Sequence, residues 1–270
     1  MKTRIITAAI GVPILLVVLL ILPTWVTAWM FAAMCAIGAY ELLYRTELVR
    51  HTRLVIYSCV SAFLIPLLGH YNLNEGWSVL AFLAFIALLF AEIMIAHTRV
   101  EFEKITICAF GGLVIPYALS AVVRILDMQM GQYLVMIPLV LAFLPDSGAY
   151  FAGRFFGKHK LAPVISPKKT VEGAIGALIA GVVCMVIYMR ILDAAFHLEV
   201  EFFFGLLYGL LGSAAAIFGD LCFSVVKRQT GIKDYGTLLP GHGGILDRFD
   251  SMIIVAPLTE VLLEILPVIG

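Results

Sequence analysis

Between Ser224 and Asp250 the chain reads SVVKRQTGIKDYGTLLPGHGGILDRFD, set between two apolar runs. Those 27 positions hold four basic residues (Lys227, Arg228, Lys233 and Arg248), His242, three aspartates (Asp234, Asp247 and Asp250) and five glycines. Such a stretch is either an ordinary connecting loop or a site. As a site, it suits a phosphate-rich substrate and a divalent metal. Ammonium and guanidinium groups take phosphate oxygens, and carboxylates take a hard cation.

Three carboxylates from three apolar runs can converge at one depth. Asp220 lies near the end of one run, Asp247 just before another, and Asp146 toward the end of a third. Asp220, Ser224 and Lys227 or Arg228 follow at helical spacing and so share one stripe. Asp247 and Asp250, three apart, share a face if the helix has begun. Mg2+ usually takes one or two protein carboxylates and fills its shell with water and phosphate oxygens. Asp220, Asp247, Asp250 and Asp146 are therefore the candidate metal ligands. The alternative for Asp220 is a buried ion pair with Lys227 or Arg228. Glu41 and Glu92 are also intramembrane or nearly so, but lack a comparable cluster and read as structural hydrogen-bonding groups.

Gly236, Pro240, Gly241, Gly243 and Gly244 surround His242. Glycines let a backbone turn and bring its N–H groups close to an anion. No G-x-x-x-x-G-K-[ST] loop occurs; the nearest imitation, GRFFGKH from Gly153, has the wrong spacing and no hydroxyl for Mg2+. The D-G-x-x-A-R pattern of CDP-alcohol phosphotransferases is also absent. An earlier basic stretch, ISPKKTVEGA from Ile165, carries Lys168, Lys169 and Thr170. Thr170 or Ser166 can cap the helix that follows, with Glu172 in its first turn. A helix start beside two lysines also suits an anion. Arg154, Lys158 and Lys160 can equally meet acidic lipid headgroups.

What positions these residues is a membrane scaffold. The chain has 270 residues, 62% hydrophobic and only 13% charged, too few charges to cover a soluble domain of this length. Net charge is zero, so no basic field recruits nucleic acid. The five cysteines lie in or beside apolar runs with no CxxC pair, and read as small buried hydrophobes. A spanning helix needs about 20 mostly apolar residues. Nine stretches qualify: 5–22, 25–43, 54–69, 77–96, 105–125, 133–150, 171–192, 202–223 and 251–269. With nine spans, alternate loops carry sixteen of the eighteen Lys and Arg residues, and the other loops only Arg124 and Arg190. The positive-inside rule then puts the N-terminus in the cytoplasm and the C-terminus outside. The expectation is an all-α polytopic membrane protein in one domain, 1–270. Residues 1–150 are mainly scaffold, and 146–250 carry a site at the cytoplasmic face. MKTR before an apolar run could pass for a signal peptide, with Val26-Thr27-Ala28 as a cleavage site, but Pro23-Thr24 reads as a tight turn after a retained first helix. Small residues recur every four positions at Gly173, Ala177 and Gly181, and at Gly205, Gly209 and Ser213. Such rows predict closely packed helices.

Ser224-x-x-Lys227-Arg228, Lys233-Asp234, Pro240-Gly241-His242-Gly243-Gly244 and Asp247-Arg248-x-Asp250 together resemble the signature of the phosphatidate cytidylyltransferase (CDP-diacylglycerol synthase) family. DSGAYFAGRFFGKHKL and SPKKTVEG, upstream, look like the same family. The resemblance implies that CTP and phosphatidate give CDP-diacylglycerol and pyrophosphate with Mg2+, a monovalent cation being a further candidate. It also implies a homodimer in the bacterial plasma membrane. On that reading Asp220 and Asp247 hold Mg2+, with Asp250 or Asp146 accessory. Lys227, Arg228, Lys233 and Arg248 take the triphosphate, and His242, Gly243 and Gly244 shape the loop. Ser224, Asp234, Arg154, Lys168, Lys169 and Thr170 contact substrate. Two rivals differ in class. A CTP-dependent prenyl-alcohol kinase would leave CDP as its product. An ion-coupled transporter would place its charges near the midplane, often at an inverted repeat, whereas here they crowd one face and no repeat is evident.

Overall fold

The computed structural model describes residues 2–71, 74–98 and 100–269, without the side chains of residues 2–5 and 75. Arg99 and the side chains of Lys2 and Arg4, counted above among the loop charges, lie outside the described residues. In chain order the helices are α1 (Lys2–Leu20), α2 (Thr24–Tyr40), α3 (Thr52–His70), α4 (Glu75–Ile95), α5 (Phe102–Ala109), α6 (Ile115–Leu126), α7 (Gly131–Leu134), α8 (Met136–Phe156), α9 (Val171–Phe196), α10 (Phe202–Gln229), α11 (Leu246–Phe249) and α12 (Met252–Ile265). Two π turns interrupt them. Glu41–Arg45 ends α2, and Phe110–Val114 joins α5 to α6.

Each apolar stretch forms helix. Among the described residues seven helices are long and apolar enough to cross a membrane, and Ile6–Leu20 is a shorter apolar helix. The protein is thus an all-helical multi-pass membrane protein. Seven such helices stand against the nine runs read from sequence, the last run, 251–269, forming helix only over Met252–Ile265. The connection between α8 and α9 contains an antiparallel hairpin of β1 (Lys160–Ala162) and β2 (Ser166–Thr170), with Lys160 opposite Thr170 and Ala162 opposite Ser166. All five cysteines are free.

The chain forms two compact units. The first comprises Met1–Met128 and Gln229–Phe249; the second comprises Gln129–Arg228 and Asp250–Gly270. In the first, Leu43, Val49, Leu54, Val55, Phe85, Leu89 and Ile105 form a buried core. Gly112 admits the Ser58 backbone, since a Cβ there would stand 3.1 Å from Ser58 Cα. Outside this core α4 exposes Trp77, Leu80, Leu83, Phe90 and Met94, as a lipid-facing helix does.

The second unit packs on its small residues, as their spacing predicts. A Cβ at Gly209 would stand 2.6 Å from Val182 Cα, and one at Gly181 would collide with Ser213 Oγ. On α8, a Cβ at Gly148 would collide with Ala180 and come within 2.7 Å of the Gly176 carbonyl. Backbones in lipid gain from this proximity through dispersion, because apolar burial supplies no drive there. The hydroxyls of Tyr188 and Tyr208 donate to the carbonyls of Tyr133, at 2.5 Å, and Leu266, at 3.1 Å.

Gly209→Ala should therefore lower the unfolding temperature in detergent, with a penalty of about 1–3 kcal/mol for overpacking. A thermal melt unchanged from wild type would mean that α9 and α10 do not need this contact.

Candidate active site

The residues singled out by sequence fall in both units, and each group has its own geometry. In the first unit, the segment between Lys233 and Arg248 walls a cavity of about 440 Å3 lined by Lys233, Asp234, Thr237, His242, Gly243 and Arg248, among others. Three basic groups thus share one cavity of a size usual for small-molecule sites. The Nδ1 atom of His242 is buried and has no hydrogen-bond partner. A buried polar atom left unsatisfied costs about 1–3 kcal/mol, so this nitrogen is poised to gain from a donor or acceptor brought by a ligand.

Two buried carboxylates shape the backbone around that cavity. Asp247 Oδ2 accepts from the amides of Tyr235 (2.7 Å) and Gly244 (3.0 Å). Glu41 Oε1 and Oε2 accept from the amides of Ile245 (3.1 Å) and Leu246 (2.9 Å). Both acids are nearly inaccessible, Asp247 at 5% and Glu41 at 3%. Glycines make this possible. Gly243 has φ +87°, and a Cβ on it would approach Asp247 Oδ2 to 2.8 Å. A Cβ at Gly236 or Gly244 would collide with the Glu41 carboxylate. Further holds come from Arg45, which donates to Thr237 Oγ1 at 3.1 Å, and from Thr7 Oγ1, which donates to the Pro240 carbonyl at 2.9 Å. Glu41 is thus the structural hydrogen-bonding group that the sequence suggests, with backbone amides as its partners.

These bonds decide what the glycine loop offers a ligand. The amides of His242 and Gly243 donate to the Leu239 carbonyl, and the Leu239 amide donates to the Gly243 carbonyl. With residues 244–246 bound to Asp247 and Glu41, every amide from 242 to 246 already has a protein acceptor. Over residues 242–246 the loop therefore offers an anion no free N–H groups, and its cationic side chains, Lys233 and Arg248, line the cavity instead.

In the second unit, Asp220 sits on α10, which continues to Gln229, six residues past the span read from hydropathy. Its carboxylate is ion-paired with Lys169 and accepts from Ser224 Oγ at 3.3 Å. The partner is thus Lys169, and not the Lys227 or Arg228 that the alternative reading of Asp220 named. Lys227 faces Asp250 instead, Nζ to Oδ2 at 3.7 Å with both side chains 11% exposed. The Arg228 Nε donates to the Ile165 carbonyl of the hairpin at 3.0 Å. Gly219 brings Asp220 and Asp250 into one neighbourhood, since a Cβ at 219 would stand 3.1 Å from the Asp250 carbonyl oxygen and from Ser251 Cα. Asp146 lies exposed on α8.

Thr170 is the N-cap of α9, its Oγ1 accepting from the Gly173 amide at 3.1 Å. It is buried, and Cβ atoms at Gly153 and Gly157 would stand 3.0 Å from its hydroxyl. Glu172, in the first turn, accepts from the His159 ring at 2.7 Å. Lys168 is exposed on β2. Arg154 donates to Tyr150 Oη at 2.7 Å.

The donor set can be tested against a divalent ion. Among the described residues no three His, Cys, Asp or Glu side chains gather at metal-holding distance. A full protein cage for Ca2+ or Zn2+ is therefore not formed by them. The Asp220 side chain is 29% exposed, so its carboxylate is wet. Asp220 and Asp250 suit the sparser Mg2+ habit of one or two carboxylates completed by water and substrate phosphate.

Comparison with known proteins agrees with this chemistry. The model of the cytidylyltransferase family matches residues 2–266. The phosphatidate cytidylyltransferase of Staphylococcus haemolyticus (strain JCSC1435) is 34% identical over 271 residues, which cover 97% of this chain and 99% of the relative. That of Bacillus subtilis (strain 168) is 33% identical over 276 residues, 98% of each chain. That of Staphylococcus aureus (strain COL) is 44% identical over 135 residues, about half of each chain, at 49% and 50%. With the family matched over almost its whole length and relatives aligned end to end, the chain belongs to the cytidylyltransferase family.

Proposed function

We propose that this chain is a phosphatidate cytidylyltransferase, converting CTP and phosphatidate to CDP-diacylglycerol and pyrophosphate. One observation carries the reading. The contiguous stretch that resembles the family signature supplies a cavity lined by Lys233, His242 and Arg248, in a chain whose full-length relatives bear that name. Phosphatidate brings its own anionic oxygen, so the reaction needs no strong general base. It needs charge neutralisation and in-line placement at the α-phosphate of CTP.

Lys233 and Arg248 take the triphosphate, and His242 offers its unpartnered nitrogen to it. Asp234, Gly243 and Gly244 give the cavity its shape. Lys227 and Arg228 stabilise the leaving pyrophosphate. Asp220 holds Mg2+, with Asp250 as the second carboxylate; Asp247 and Asp146 are further acids of the set. The ion would neutralise phosphate charge as it builds in the transition state. Lys169, paired with Asp220, and Ser224 stand beside that carboxylate and orient it. Lys168, Thr170 and Arg154, around the hairpin, meet the phosphatidate headgroup. The acyl chains enter sideways from the inner leaflet.

Nine crossings, with the N-terminus inside, the C-terminus outside and the site at the cytoplasmic face of the plasma membrane, fit the distribution of basic residues. The bacterial relatives favour that membrane. A homodimer accords with the resemblance.

Purified protein in detergent, given phosphatidate, Mg2+ and CTP labelled at the α-phosphate, should place label in the lipid product. Label entering lipid only from the γ-phosphate, with a prenyl alcohol as acceptor, would instead make the protein a lipid kinase. Asp220→Asn should abolish turnover, by about a hundredfold or more for a lost electrostatic contact to the reacting phosphates, in protein with a normal thermal melt. Full activity in that variant would remove Asp220 from the metal site. A reporter fused to the N-terminus should read cytoplasmic. An external reading would overturn this orientation.

A further inference from the structure

Glu41 lies outside the signature, on the π turn that ends α2, about two hundred residues before the loop it serves. Its two carboxylate oxygens are used separately, one by the Ile245 amide and one by the Leu246 amide. These amides lead directly into Asp247 and Arg248. Gly236 and Gly244 both lie where a Cβ would strike the Glu41 oxygens, so the loop closes around this carboxylate from two sides. Arg45, four residues along the same π turn, holds Thr237. One turn of one helix therefore fixes the loop at residues 237, 245 and 246. π turns often mark functional places in helices.

Two parallel N–H donors need two acceptors. A carboxylate supplies them; a glutamine of the same shape supplies one, and turns its own NH2 toward the other amide.

On the reading that the loop binds CTP, we infer that Glu41 is a positioning residue for the nucleotide. By clamping the amides of Ile245 and Leu246 it sets where Lys233, His242 and Arg248 stand around the cavity. It touches no reacting atom. Its loss should loosen nucleotide binding while leaving the lipid substrate unaffected.

Steady-state kinetics of Glu41→Gln, varying CTP and phosphatidate in turn, test this. The KM for CTP should rise about tenfold, as expected when one hydrogen bond to a charged group is lost. The KM for phosphatidate should stay as in wild type, and the protein should still fold, with a modestly lowered unfolding temperature. Amide exchange at Ile245 and Leu246 should quicken in the same variant. A fall in kcat with unchanged KM for CTP, an equal rise in both KM values, or a protein that does not fold would each overturn the inference, because each would make Glu41 part of the scaffold only. If wild type itself transfers no cytidylyl group, the proposed reaction fails, and the clamp is judged on exchange alone. Faster exchange at 245 and 246 confined to this loop then supports it, and unchanged exchange overturns it.

Discussion

A carboxylate buried at the end of a membrane helix must find donors, because leaving it unpaired away from water costs several kcal/mol. Glu41 finds them in the backbone of a loop late in the chain, and that pairing governs the first unit. It requires the amides of Ile245 and Leu246 to point at one place, and requires Gly236 and Gly244 to carry no side chain there. Asp247 repeats the device from within the loop, gathering the amides of Tyr235 and Gly244. Phe249 then sets its ring edge-on to Phe31 of α2, with centroids 6.3 Å apart. A loop rich in glycine would otherwise be loose. Here its freedom is spent on wrapping two negative charges.

The second unit works by a different rule. Its helices approach through glycine, alanine and serine, and its charges pair side chain to side chain. Lys169 meets Asp220, and Lys227 meets Asp250. The Lys169–Asp220 pair is partly wet and so of modest strength, whereas Lys227 and Asp250 are largely buried, where losing one partner costs more. Close backbone packing thus underlies two ion pairs of unequal exposure.

The sequence made much of this visible. The helical, membrane-embedded class could be read because bilayer thickness imposes a length on apolar runs, and among the described residues seven of the nine runs form helices long enough to cross. The candidate stretch stands out in the sequence because its charges contrast with so greasy a chain, and the fold gathers Lys233, His242 and Arg248 around one cavity. The hairpin could not. Its strands contain Pro167 and border Pro163, and proline argues against strand except at edges, which is all that a two-stranded ladder has. Nor could the Lys169–Asp220 pair, which joins β2 to a distant helix and obeys no local spacing. Glu41 looked like any intramembrane acid, because its partners are amides, which every residue carries. The one trace of it in the sequence was the pair of glycines at 236 and 244, which signalled that something approaches closely without saying what.

The committed amides of residues 242–246 have a consequence for timing. A nest of N–H groups is fixed in space and grips an anion in one geometry. Lysine and arginine side chains standing on a fixed loop can swing. For a reaction in which one triphosphate becomes two separate phosphorylated products, they can track the negative charge as it divides, then follow the departing fragment outward. A stiff frame with mobile tips favours turnover over tenacity.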